Sequence, residues 1–243
     1  MRILAFDTAT RATTVALSEA RVPGKGTVEA RDDPPPGSRP GHVSRLLPLI
    51  AEVMERGELG FTDVDRLAVG VGPGTFTGLR IGIATAQALA RAASLPVVGV
   101  PTLRSLAAAA DGVDEAAGLD SVAAVLDARR GEVYAGVWRL GGELVMEARA
   151  LAPEQLASWL ERSRLRLLAV GEGAIEFRGI LGRSGAHIPP DESELHRVSA
   201  AAHLRIAEQL PAGSADEIQP QYIRLPDVRE PASKPAAQAS RDH

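Results

Sequence analysis

The 243-residue chain contains no cysteine, which excludes disulfide scaffolds, Cys-ligated zinc and cysteine nucleophiles. Aromatic residues contribute only 3%. Lysine is nearly missing: of 27 basic residues, all but Lys25 and Lys234 are arginine. That bias fits a GC-rich coding sequence better than an RNA-binding surface. Net charge is −4, and short clusters at Arg129-Arg130 and at Arg162, Arg164 and Arg166 do not add up to a basic stripe. A protein whose main task is gripping nucleic acid shows such a stripe, because phosphate neutralisation supplies most of its affinity. No apolar run approaches the ~20 residues that span a bilayer. The N-terminus reaches the carboxylate of Asp7 too early for a signal peptide. The expectation is a soluble cytoplasmic protein with no membrane partner.

What the chain does have is 45% hydrophobic and 24% charged residues, which rules out a disordered or fibrous molecule. At ~150 residues per domain, its length predicts one large domain or two small ones, burying ~70% of the unfolded surface. Strands are expected at 2–6, closing on Asp7, at 13–17 and at 27–31. Residues 32–41, rich in proline and glycine, read as a mobile loop. Helical spacing of Leu46, Leu47, Ile50, Val53 and Met54 predicts a helix over 43–56, with Pro48 bending its first turns or delaying its start. A buried strand at 67–71 enters the loop Gly72-Pro73-Gly74-Thr75-Phe76-Thr77-Gly78, and a long helix follows to about 93. A strand at 97–100 and a helix at 102–110 complete the first half. The second half repeats the order: strand 121–126 closing on Asp127, strand 132–139, strand 143–147, helix 153–161, strand 167–170 and helix 174–181. A helix at 198–210 and a late strand at 221–224 follow. This pattern fits an α/β chain of two tandem actin-like ATPase (ribonuclease-H-like) lobes, each a mixed five-stranded sheet flanked by helices. The lobes are expected at 1–110, rejoined by about 211–225, and at 111–210, with a disordered tail at 226–243.

The glycine-rich loop carries the most chemistry. Backbone N–H groups at a helix start can cradle a phosphate. Yet GxxxxGK[ST] is absent, and GxGxxG fails because Thr75 and Thr77 stand where the third glycine belongs. A tight turn with Thr75 or Thr77 as N-cap explains it more simply. In the helix beyond, Gly78, Gly82, Ala86 and Ala90 recur every four residues and form one small-residue face, while Leu79, Ile81, Ile83 and Leu89 make most of the remainder apolar. Such a helix is buried on two sides. The second cover is either the 43–56 helix or a protein partner.

Asp7 and Asp127 stand where a nucleotide clamp keeps carboxylates for Mg²⁺, or they are turn caps. Asp7 and Thr8 with Gly72, Gly74 and Thr75 form a possible vestigial nucleotide loop. The turn after Asp127 has Ala128, Arg129 and Arg130 in place of glycine. His42 is followed one turn later by Leu46, so no histidine pair can bind a metal. His196 and His203 have no acidic partner at ligand spacing and read as a solvated helix surface. No GxSxG elbow is present, and no nucleophile–base pair is visible.

Three stretches, 3–9, 72–82 and 220–224, together resemble the bacterial TsaB family of tRNA threonylcarbamoyladenosine biosynthesis proteins, and 42–48 resembles the family's first interface helix. The resemblance implies a non-catalytic member of the actin-like superfamily, with no catalytic residue, metal or cofactor of its own. It implies pairing with a TsaD-type catalytic subunit, which modifies tRNAs reading ANN codons, and with a TsaE-type ATPase. It also implies a homodimer when the chain is alone, and only indirect contact with tRNA. By this resemblance Leu46, Leu47, Ile50, Gly78, Leu79, Gly82, Ile83, Ala86 and Ala90 line the partner interface. A metal-dependent ATPase or kinase of the same superfamily is the alternative.

Overall fold

The computed structural model describes residues 1–18, 26–35 and 37–223. The disordered tail expected at 226–243 and Arg224 of the late strand lie outside the described residues.

Strands β1 (Ile3–Asp7), β2 (Thr13–Ser18), β3 (Thr27–Asp32), β4 (Arg66–Gly72) and β5 (Val97–Pro101) form one sheet in the order β3-β2-β1-β4-β5. β1 runs antiparallel to β2 and parallel to β4. Its residues are buried on both faces: Leu4 and Phe6 meet helices α1 (His42–Arg56) and α2 (Phe76–Ala93), and Ile3 and Ala5 meet helix α7 (Ala200–Ala207). That double cover explains why β1 reads as a continuous apolar run rather than an alternating one.

Strands β6 (Ser121–Arg129), β7 (Glu132–Arg139), β8 (Leu144–Leu151) and β9 (Leu167–Val170) form the second sheet, in the order β8-β7-β6-β9. This matches the first sheet strand for strand, up to its last position. Among the described residues the expectation of five strands is therefore met in the first sheet and not in the second, which has four. At the fifth position the described chain makes a single parallel bridge between Leu168 and His187. Helix α3 (Thr102–Ala108) covers one face of this sheet. The other is covered by α4 (Pro153–Ser163), α5 (Glu172–Glu176) and α6 (Arg178–Leu181). α3 and α7 touch each other between the sheets, so the layers run α1/α2, first sheet, α3/α7, second sheet, α4–α6.

Three expectations need correction here. α1 begins at His42, six residues before Pro48, so the proline does not delay its start. Its buried stripe is Leu46, Leu49, Ile50, Val53 and Met54; Leu49 takes the inward position expected of Leu47, which is 55% exposed. The segment at Gln221–Ile223 is not a strand. Among the described residues it makes one backbone bond, from Gln221 N–H to the Val71 carbonyl near the end of β4 (2.8 Å), a strand already flanked by β1 and β5.

Candidate functional site

Asp7 ends β1, whereas Asp127 stands two residues before the end of β6, which runs on past the expected close to Arg129; each aspartate serves its own turn. Asp7 Oδ1 accepts the Ala9 N–H at 2.6 Å, and Asp127 Oδ1 accepts the Arg129 N–H at 2.7 Å. The second oxygens differ. Asp127 Oδ2 meets the Arg129 guanidinium at 3.1 Å in a half-open site. Asp7 Oδ2 accepts two further bonds, from Thr102 Oγ1–H and from His203 Nε2–H, both at 2.9 Å. Asp7 is 1% exposed and His203 is fully buried. Gly70 on the neighbouring strand leaves the space the carboxylate fills, since a methyl group there would overlap it.

His203 is thus the opposite of a solvated surface histidine. Its Nδ1 lies 2.7 Å from Ser105 Oγ and 3.0 Å from the Ser199 carbonyl oxygen. His196 is buried as well, with Nδ1 against Gly171 and Nε2 against the Pro189 carbonyl, both at 3.2 Å. Both corrections have one cause: the segment 196–207 is packed inside the molecule, which its alanine-rich sequence does not announce. The Ser105–His203–Asp7 arrangement is also a nucleophile–base–acid series that the sequence reading did not find. Ser105 is fully buried, so no substrate carbonyl can approach its hydroxyl.

The glycine-rich loop is filled by the chain itself. Thr75 caps α2, its Oγ1 accepting the Gly78 N–H at 3.3 Å, and the Thr75 N–H donates to the Ala9 carbonyl at 2.7 Å. Thr8 Oγ1–H donates to the Gly78 carbonyl at 2.8 Å. A methyl group at Gly74 would overlap Ala9, one at Gly78 would overlap the Thr8 carbonyl, and one at Gly82 would sit 2.5 Å from Thr8 Oγ1. These glycines bring α2 against the β1–β2 turn. The turn-aiming reading of Gly72, Gly74 and Thr75 is the one the geometry supports. A Mg–nucleotide does not fit these residues: both Asp7 oxygens have donors, and the loop is closed on Thr8 and Ala9.

Of the nine residues expected at the partner interface, eight lie in this chain's own interior. Leu46, Ile50, Gly78, Leu79, Gly82, Ile83, Ala86 and Ala90 are buried, the small-residue face of α2 against Thr8 and the first sheet. Leu47 alone is exposed. The outward side of these helices nevertheless remains open. Val43 (79% exposed) and Leu47 are one turn apart on the same face of α1. At the start of α2, Phe76 is 42% exposed, stacked on Tyr222 at 5.5 Å between ring centres, with the Arg80 guanidinium 3.8 Å over its ring.

A cleft of about 240 Å³ lies between the β1–β2 turn, with Arg11, and α5, with Glu172. Burial pushes the Glu172 carboxyl above its ordinary range, and the Asp127 charge adds to the rise against the pull of Arg129 and Arg11. A raised carboxyl favours folding below its unfolded value of about 4.5 and loses that advantage as pH rises through its folded value. Glu172→Gln is therefore expected to gain stability at pH 7, with the gain vanishing below about pH 4.5. Paired urea titrations at the two pH values read it, and an equal effect at both refutes it. His42, whose Nδ1 is 2.9 Å from Thr13 Oγ1, shifts the other way, its imidazole held below the usual value by burial.

Two like-ordered sheets, helices between and outside them, and an aspartate at or near the end of the first strand of each define an actin-like two-lobed protein. A family model described as TsaD: tRNA N6-adenosine threonylcarbamoyltransferase matches residues 34–183. The tRNA threonylcarbamoyladenosine biosynthesis protein TsaB of Escherichia coli (strain K12) is 45% identical over 134 residues, 55% of this chain; the match spans about half of that relative's length, 53%. The Haemophilus influenzae TsaB is 32% identical over 199 residues, 75% of this chain and 80% of that protein. A solved structure described as YeaZ from Pseudomonas aeruginosa shares 28% identity at a TM-score of 0.70, covering 91% of this chain and 99% of that one. The chain belongs to the TsaB family of tRNA threonylcarbamoyladenosine biosynthesis proteins. Among the described residues, no helix is long and apolar enough to cross a membrane.

Proposed function

We propose that this chain is a non-catalytic partner subunit in the making of threonylcarbamoyladenosine beside the anticodon of tRNAs reading ANN codons. In this reading it binds and stabilises a TsaD-type catalytic subunit, a TsaE-type ATPase joins the assembly, and tRNA is touched only indirectly. The docking surface is the outward side of α1 and α2, led by Val43, Leu47 and Phe76, and a second copy covers it when the catalytic subunit is missing. The lobes divide near 110, with 111–210 as the second lobe and about 211–225 returning to the first; α7, near the end of the second, lies against β1 and β2.

One observation carries the proposal. The carboxylate at the place where a related ATPase would hold its metal, Asp7, is buried and engaged by Ala9, Thr102 and His203. A carboxylate so enclosed cannot take part in a metal's coordination without losing donors in an apolar layer, at a cost of about 1–3 kcal/mol for each group left unpaired. The family names of the relatives add the tRNA-modification context. The alternative, a metal-dependent ATPase or kinase using Asp7 and the 72–78 loop, makes the opposite demand on the same atoms.

Calorimetric titration of the isolated chain with Mg–ATP separates the two readings, with co-purification of the TsaD-type protein from the same organism as the positive arm. The expected result is no saturable nucleotide binding and retention of the catalytic subunit. Mg-dependent turnover abolished by Asp7→Ala would favour the enzyme.

A further inference from the structure

On the side of the molecule where α3, α7 and the β7–β8 turn meet, a groove of about 150 Å³ collects three guanidinium groups, those of Arg104, Arg139 and Arg205. Asp111 is the one carboxylate lining it, and its Oδ1 already accepts the Gly141 N–H at 3.0 Å. Arg139 reaches away to Asp120 at 3.1 Å, and Arg205 donates to the Ala108 carbonyl at 2.9 Å. Arg104 is half-buried on α3 and makes no hydrogen bond or ion pair among the described residues.

This is an unusual concentration in a chain of net charge −4. Guanidinium groups stay protonated throughout the physiological range, so the three repel one another at a partly shielded site where charges interact more strongly than in water. With no protein acceptor on its side chain, Arg104 is left available to an anion that enters the groove. The groove wall adds Trp138 and Ile206, an apolar flank beside the charged one. The groove opens to solvent, so a compact anionic group can enter it with an organic body attached. Arginine forks match phosphoryl oxygens in pairs, which single-point cations do not.

We propose that this groove is a binding site for a phosphoryl group carried on an organic body, with Arg104 and Arg205 gripping the oxygens and Trp138 flanking the body. The chemistry is shared by two sources, a phosphodiester of RNA and a free phosphate monoester. The site is distinct from the α1/α2 docking face and does not depend on it.

The experiment is calorimetric titration of the full chain with inorganic phosphate, at constant ionic strength maintained with chloride. Saturable binding is expected for the wild type and for Arg56→Gln on α1. Weakening of at least tenfold is expected for Arg104→Gln and Arg104→Glu, each checked for an unchanged urea midpoint. Should the Arg104 variants fail to fold, Arg205→Gln, at an exposed position, is expected to give the same weakening. Absence of saturable phosphate binding by the wild type, or equal binding by folded Arg104 and Arg205 variants, overturns the site. Adenosine monophosphate and a short single-stranded RNA then distinguish the sources. Tighter binding of the RNA, with the same Arg104 dependence, assigns the phosphodiester; equal or tighter binding of the monophosphate assigns the free ester. Phosphate binding with neither ester bound overturns the organic body.

Discussion

His203→Ala is expected to lower the unfolding free energy by about 3–5 kcal/mol, the range for stripping a buried carboxylate of a hydrogen-bond partner and leaving a cavity beside it. The loss is large because nothing replaces the imidazole. Asp7 is 1% exposed, so water does not reach the abandoned oxygen, and the Thr102 hydroxyl remains its single donor there. The empty volume between Ser105 and Asp7 adds a cavity penalty on top of the lost bond. Small domains have only 5–15 kcal/mol in total, so the variant should sit close to its unfolding threshold at 37 °C. Asp7→Asn with His203→Ala should cost less than the two single changes summed, because the second change removes the charge that the first leaves stranded. Urea unfolding of the two single variants and the double variant measures this coupling. A loss below about 1 kcal/mol for His203→Ala would mean that Asp7 reaches solvent, and the argument for a disabled clamp would go with it.

The same pair marks the boundary of what the sequence discloses. Local signals worked where local physics decides: the apolar run of β1, a threonine cap on α2 at 75 or 77, and the repetition of strand order across the two halves were all legible. So was the role of Asp7 and Asp127 as turn residues, one of two readings left open. The partner of Asp7 was not, because His203 lies 196 positions away and only the layering of α3 and α7 between the sheets brings it near. Nothing at short range distinguishes a histidine facing such a layer from one facing water. The missing fifth strand of the second sheet has a similar origin. A single bridge at His187 needs no β-rich stretch and leaves no pattern. The small-residue face of α2 was recognised correctly as a place of close approach, but spacing alone cannot say whose backbone approaches. Thr8 occupies it, so close packing there belongs to folding, and the docking face proposed above lies on the opposite side of the helix.

That reassignment has a sharp consequence for two substitutions with the same new side chain. Gly82→Arg places a Cβ 2.5 Å from Thr8 Oγ1 and then a charged chain inside the packed layer between α2 and the first sheet. Overpacking costs about 1–3 kcal/mol, and a buried unpaired charge adds several more, so little folded protein is expected by circular dichroism. Leu47→Arg changes a side chain that is 55% exposed, and its effect on the monomer should stay within about 0.5 kcal/mol. Binding is another matter. An apolar side chain central to a docking face is worth about 2 kcal/mol or more when lost, roughly a thirtyfold weakening, and an arginine adds the burden of a charge beneath the partner. Leu47→Arg should therefore elute as a folded protein and fail to retain the TsaD-type subunit, while Gly82→Arg should fail before the question of partners arises. A folded Gly82→Arg protein deficient only in partner binding would put the docking face back on the glycine side. Normal retention by Leu47→Arg would remove α1 from the interface, and with it the reading of this chain as a subunit that works by being held against another.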